Sequence, residues 1–286
     1  MVYLNYSQTE LDAQYNQATL VPDISKYLKY WNEAGDAARR SLNFEKDIAY
    51  GDMGVELLDI FRADSPSAPI HIHIHGGAWR QLSKEHAHYP APYFVSAGAI
   101  FIALNFGLAP EFSLNEIVDQ VRRAVNWVWK NADSFGGNKE KIFLSGISSG
   151  AHLAACVLSG GWHENYKLPE NVVKGAVLAS GPYDLEPVRL SARNDYLKLS
   201  QIDADRNNSL KHIPKQGPAI IVCWGEGELE EFQRQGQAYA SAWKSAGNSC
   251  QSIILKGLNH FDVANEFGRG DSELIQGALK QMALVA

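Results

Sequence analysis

The feature that most restricts the fold of this chain is an alternation that begins near residue 40. Short runs rich in β-branched and aromatic residues recur, separated by stretches with helical spacing. Parallel strands need a crossover of a dozen or more residues, so this rhythm implies a mostly parallel sheet flanked by helices, an α/β fold. Eight strands are expected, at 44–50, 55–61, 70–75, 99–105, 141–144, 172–179, 219–224 and 252–256. Between them, Leu114, Ile117, Val118, Val121, Val125, Val128 and Trp129 fall on one helical face. Further helices are expected at 149–158, 230–246 and 272–283.

With 286 residues and 45% hydrophobic content, the chain can close one large core, and a single domain over 1–286 is expected. Two segments break the alternation: the tyrosine-rich residues 1–40, and 183–215, which is too long and polar for a plain connection. In open α/β sheets such excursions tend to lie over the carboxyl ends of the strands, where ligands bind. Both are expected to contribute a small lid over the active site.

The formal charge of −6 comes from interspersed acids and bases. No basic cluster could neutralise a phosphate backbone, which excludes nucleic acid as a partner. The start lacks a cationic segment followed by an apolar run, and no stretch approaches the roughly 18 apolar residues of a membrane span. Cys156, Cys223 and Cys250 are widely spaced within apolar runs, which suits buried thiols in a reducing compartment. A cytoplasmic location is expected, and a homodimer is compatible with the sequence.

The stretch HIHIHGGAW, residues 71–79, sets three histidines at alternate positions. On a straight strand the outer two lie ~13 Å apart, too far to ligate one ion together. His71 and His73 therefore read as core or sheet-end histidines. His75 followed by Gly76-Gly77-Ala78 matches the HGGG-type loop that supplies main-chain N–H groups to an oxyanion hole. Gly77 and Ala78 would donate, together with Ser149, and His75 would brace the loop.

KIFLSGISSGAHLAA, residues 141–155, passes from a strand through Gly146-Ile147-Ser148-Ser149-Gly150 into a small-residue helix. Ser148 alone has glycine at both −2 and +2, the nucleophile-elbow arrangement. Such a serine needs a base and an orienting acid, in the chain order serine, acid, histidine. His260 follows the last expected strand, whereas His152 and His163 lie nearer in sequence, and His152 faces the core. The acid should follow the strand at 219–224, where Glu226, Glu228, Glu230 and Glu231 compete; Glu228, a short turn beyond the strand end, is preferred.

These motifs resemble the kynurenine formamidase (arylformamidase) branch of the α/β-hydrolases, near the hormone-sensitive-lipase-like esterases. The resemblance covers nearly the whole chain. It rests on HGGAW at 75–79, NFGLAPE at 105–111, GISSGAHLAA at 146–155, SGPYDLEPV at 180–188, GEGELEEFQRQ at 225–235 and LNHFDV at 258–263. The family's nucleophile, acid and base fall on Ser148, Glu228 and His260. This chain departs in having glutamate for aspartate at 228, glycine for arginine at 107, and NNSLKHIP at 207–214 in place of a compact Ser-Pro turn.

The expected activity is cleavage of a small amide, of formamide or aryl amide type, or of an ester, through an acyl-enzyme and without metal or organic cofactor. The alternatives are a small-ester carboxylesterase and a non-catalytic small-molecule binder on the same fold. Trp79, Phe106 and Tyr183 adjoin the motifs and are expected to line an apolar pocket for an aromatic substrate.

Overall fold

The computed structural model describes residues 1–285. The eight expected strands all form: β1 (Phe44–Ala49), β2 (Leu57–Phe61), β3 (Ala68–Ile74), β4 (Ile100–Leu104), β5 (Gly137–Ile147), β6 (Val173–Ala179), β7 (Ala219–Gly225) and β8 (Cys250–Leu255). They make one sheet in the order β1-β2-β4-β3-β5-β6-β7-β8. β1 pairs antiparallel with β2, and β2 with β4; every other pairing is parallel. β5 begins four residues earlier than the apolar pattern marks, because Gly137 pairs with Ala68 at the start of β3.

Alternation along the strands divides the core between the two faces of the sheet. Ile70, Ile72, Ile74, Ile100, Ile102 and Leu104 pack on one face, beneath the helices Leu114–Asn131, Ser149–Leu158 and Glu230–Ser245. Phe101, Ala103, Phe143, Val177 and Ile221 pack on the other, beneath Ser25–Ser41, Ala91–Ser96, His260–Glu266 and Glu273–Gln281. Each fully buried Ile or Phe contributes about 1.5–3 kcal/mol. The helix Leu114–Asn131 starts at a capping box, Ser113 with Glu116, and buries the predicted stripe from Leu114 to Val128. Trp129, at the edge of that stripe, is half-buried and carries the Lys139 ammonium 4.8 Å from its ring.

The two segments that broke the pattern are helical. Residues 1–41 hold Gln8–Gln14, a 3-10 turn at Gln17–Leu20, and Ser25–Ser41. Residues 186–211 hold Glu186–Leu190, Asn194–Leu197, Gln201–Arg206 and a final 3-10 turn. Polar contacts tie the two segments together: Gln8 donates to Leu190 O at 2.9 Å, the Ala192 amide to Asp12 at 2.7 Å, and Tyr3 to Asp184 at 2.9 Å. The longer helix is tied to His260–Glu266 by Tyr27 to Asp262 and Trp31 to Asn265, both at 2.8 Å. Among the described residues, no helix is long and apolar enough to cross a membrane.

Candidate active site

β5 ends at Ile147 and a helix begins at Ser149, so Ser148 alone makes the corner, at φ 57° and ψ −125°. A non-glycine residue held there stores on the order of 1–3 kcal/mol of strain. The flanking glycines are explained by space. A Cβ on Gly146 would sit 2.4 Å from the Gly150 carbonyl oxygen, and one on Gly150 would sit 2.2 Å from that of Ile74. The corner closes only because both side chains are absent. The Ser148 amide bonds to Ala179 O at 2.8 Å, fixing the turn to the end of β6.

The loop after β3 packs directly on this corner. A Cβ on Gly76 would come 3.3 Å from the Ser148 Cβ. Gly77, Ala78 and Trp79 follow with φ of 100°, 55° and 59°. This left-handed run is closed by the Arg80 and Gln81 amides, each donating to Gly77 O at 3.0 Å, and by Tyr196, whose hydroxyl donates to Ala78 O at 3.1 Å. Among the described residues, the amides of Gly77, Ala78 and Ser149 make no hydrogen bond. Free N–H groups beside a serine are what a developing oxyanion requires.

His260 opens the helix after β8, behind an Asn259–Asp262 capping box. Its ring packs edge-on against Phe232 and Phe261, with centroids 5.1 and 5.7 Å away. Its Nδ1 faces Glu228 Oε1 at 3.5 Å, a loose approach that leaves Nδ1 without a hydrogen bond. Among the described residues, no hydrogen bond joins the Ser148 hydroxyl to His260, although both line one cavity. Such contacts are often long before substrate tightens them.

The turn that carries Glu228 is pressed onto the residues before His260. Gly227 donates to Leu258 O at 2.9 Å, and a Cβ on Gly225 would lie 2.1 Å from that oxygen. Glu228 Oε1 also accepts from the Ser180 hydroxyl and, at 3.4 Å, from the Gly225 amide. The competing glutamates are engaged elsewhere or exposed. Glu226 accepts from the Gly257 amide at 3.1 Å, Glu230 is exposed, and buried Glu231 pairs with Arg234 at 2.7 Å. Ser180 lay inside the quoted SGPYD motif, but nothing in the sequence showed that its hydroxyl meets the carboxylate.

The histidines at 71, 73 and 75 are buried, and His73 and His75 back the cavity. Ser145, opposite His73 in the register, shares its hydroxyl with His71 Nε2 at 2.7 Å and His73 Nδ1 at 2.6 Å. His75 lies 4.3 Å from Phe106 in a ring stack and bonds through Nδ1–H to Gly76 O at 2.8 Å, bracing the loop. Burial lowers His71 well below the ordinary range, His73 to about 3 and His75 to about 4, so all three are neutral near pH 7. Among the described residues, no three His, Cys, Asp or Glu side chains gather as metal ligands. His152 is core, as expected, accepting from Trp79 Nε1 at 3.2 Å.

The aromatic pocket expected from Trp79, Phe106 and Tyr183 is corrected by the structure: none of the three lines the cavity. The bond to His152 draws Trp79 into the core, Phe106 backs the His75 ring, and Tyr183 stacks on Tyr239 with centroids 4.2 Å apart. Adjacency along the chain did not give adjacency in the cleft. The cavity, about 240 Å³, takes its aromatic surface from Tyr15, Trp31, Tyr89 and Phe261. Two of those four come from residues 1–41, and residues 183–215 add Arg193.

An eight-stranded, mostly parallel sheet with a serine at a strained strand-to-helix corner and a neighbouring loop of free amides defines an α/β-hydrolase. The BD-FAE family profile matches residues 58–224. The chain is 31% identical over 267 residues to a kynurenine formamidase of Salmo salar, covering 91% of this chain and 89% of that one. It is 30% identical over 273 residues to a kynurenine formamidase of Danio rerio, covering 91% of each. A solved esterase of Pyrobaculum calidifontis superposes with a TM-score of 0.73 at 21% identity, covering 94% of this chain and 97% of that one. The chain belongs to the BD-FAE family, in its kynurenine formamidase-like branch. The profile match ends before Glu228 and His260, so their placement rests on the geometry above.

Proposed function

We propose that this chain is a serine hydrolase that cleaves small amides, of formamide or aryl amide type, or esters through an acyl-enzyme. The observation that carries this is the Ser148 corner: a left-handed backbone holds the serine at a cavity shared with His260, whose Nδ1 faces Glu228. Ser148 Oγ attacks the scissile carbonyl carbon while His260 Nε2 takes its proton. Glu228 holds the ring and stabilises its charged form. The amides of Gly77, Ala78 and Ser149 receive the oxyanion, each such donor being worth about 3 kcal/mol of barrier. His260 then returns the proton to the departing amine or alcohol. Water, activated by the same ring, releases the acyl group as an acid and restores Ser148.

The names of the curated relatives favour a formamide, whose acyl side needs room for only a hydrogen. Residues 1–40 and 183–215 act as the lid, since side chains from both line the cavity. The test is labelling by a fluorophosphonate probe, with rates measured on N-formylkynurenine, aryl amides and p-nitrophenyl acetate. Ser148→Ala should lose labelling and at least about a thousandfold in kcat. Retained turnover would remove Ser148 from the mechanism, absence of labelling would favour a binding protein, and ester-only activity would select the carboxylesterase reading.

A further inference from the structure

The end of β6 touches both the nucleophile corner and the acid. Ala179 O accepts from the Ser148 amide at 2.8 Å, and the next residue, Ser180, donates its hydroxyl to Glu228 Oε1. Ser180 is fully buried and turns left-handed, at φ 52°. A residue other than glycine adopts that region only where its surroundings enforce it. Here one enforcing contact is its own amide, which donates to Cys223 O on β7 at 2.8 Å. The hydroxyl that meets the carboxylate therefore leaves a backbone already held by the neighbouring strand.

The Glu228 carboxylate has few other holds. The Gly225 amide stands 3.4 Å and His260 Nδ1 3.5 Å from Oε1, and Oε2 has no partner. A glutamate carboxylate also turns about one torsion more than an aspartate carboxylate does. Among the described residues, the Ser180 hydroxyl is the one close donor to this carboxylate, and it falls on the oxygen that faces the His260 ring. Ser180 itself does not line the cavity, so its route to the reacting atoms runs through Glu228.

We propose that Ser180 is a positioning residue for the hydrolytic reaction: its hydroxyl holds Glu228 with Oε1 toward His260 Nδ1. This rests on the hydrolase reading and adds a residue to it. Without that bond the carboxylate, buried and with Oε2 unpaired, is free to pivot toward any better donor. The negative charge then no longer stands against the ring at the moment the ring takes the Ser148 proton. Because Ala179 and Ser180 are consecutive, the end of β6 sets the nucleophile corner and the acid in one register.

The test uses the full chain with p-nitrophenyl acetate and an aryl formamide. Ser180→Ala should lower kcat about tenfold to a hundredfold, the usual effect of losing a hydrogen bond to a charged group, with KM changed by less than about twofold. Ser180→Gly removes the same hydroxyl but accepts the left-handed backbone freely, so it guards against misfolding and should show the same loss. The sharper comparison is a double variant. With Glu228→Gln already in place, Ser180→Ala should slow kcat by no more than about twofold further, because no charged acid remains to be positioned. A full additional loss there would assign Ser180 to general stability and overturn the proposal. With a phenylboronic acid bound at Ser148, the His260 Nδ1 proton should resonate far downfield in the wild type and move upfield in Ser180→Ala. An unmoved resonance would also overturn it. Fluorophosphonate separates this proposal from the reading beneath it. A wild-type protein that is not labelled undoes the hydrolase, whereas labelling of Ser180→Ala as fast as the wild type removes only the role of Ser180.

Discussion

The sheet with its elbow and the helical cover above it are built on different physical terms. In the sheet, residues two apart share a face and bury nearly complete apolar rows, so position is set by periodicity and by the absence of Cβ atoms at Gly146 and Gly150. In the cover, helices of four to seven residues are joined by side chains reaching across about 180 residues of sequence, as in Gln8 to Leu190 and Tyr3 to Asp184. Helices that short have little intrinsic stability and depend on what they pack against. The sheet thus fixes where Ser148 stands, and the helical segments supply Tyr15, Trp31 and Arg193 to the wall of the cavity it lines.

Acid offers the strongest way to break the sheet side of this comparison. Burial holds His73 at about 3 and His75 and His152 at about 4, against an ordinary 6.5. Each ring is neutral when folded and takes a proton more readily once unfolded. Their contribution is therefore fully present above pH 6.5 and shrinks as pH falls from 6.5 toward about 4. Each ring adds a slope of about 1.4 kcal/mol per pH unit in that window, or roughly 2 kcal/mol by pH 5. Urea midpoints measured from pH 7.5 to 4.5 should hold steady and then fall steeply below 6.5. A flat profile down to pH 5 would show that these rings are not held neutral by the fold.

Glu228→Gln probes the join between strand ends, and its effect should be smaller than acid unfolding yet severe for chemistry. The amide preserves shape and an acceptor for Ser180, but it removes the charge that faces His260 at 3.5 Å. A loss of roughly a thousandfold or more in kcat is expected, with a urea midpoint near that of the wild type. Steady-state rates beside an unfolding curve separate the two effects. A variant slowed less than about tenfold would leave the His260 ring oriented by its packing against Phe232 and Phe261.

What the sequence disclosed follows the same division. All eight strands and four of the helices flanking them, Leu114–Asn131, Ser149–Leu158, Glu230–Ser245 and Glu273–Gln281, were legible because burial on two faces writes a period of 2 or 3.6 into residue type, whereas Ser25–Ser41, Ala91–Ser96 and His260–Glu266 were not expected. The corner at Ser148 was legible because close backbone approach demands glycine at fixed offsets. Glu228 could be preferred over its neighbours from its distance beyond the strand, but only coordinates show Glu226 and Glu231 occupied elsewhere. The cavity wall was illegible. Trp79, Phe106 and Tyr183 stand beside the motifs and turn into the core, while Trp31 and Arg193 reach the cleft from the two segments that lie outside the strand–helix alternation. A polar contact between remote loops leaves no spacing rule in the chain.

The mildest substitution bears most directly on whether the cover also shapes the chemistry. Tyr196, in the cover, donates to the carbonyl of Ala78 at 3.1 Å, and its ring lies 4.5 Å from the Arg80 guanidinium. Tyr196→Phe keeps the ring and removes one hydrogen bond, worth about 1 kcal/mol. If that bond holds the left-handed loop in register with Ser148, kcat should fall by about fivefold with KM little changed, because the loop's amides act on charge that develops during reaction. Tyr3→Phe supplies the control: it removes the bond donated to Asp184 at 2.9 Å and the one accepted from Arg234 at 3.3 Å. It should affect the unfolding midpoint at least as much while leaving kcat unchanged. Equal kinetic loss in both variants would mean that the cover acts only by general stability; loss confined to Tyr196→Phe would make it part of the geometry that receives the oxyanion.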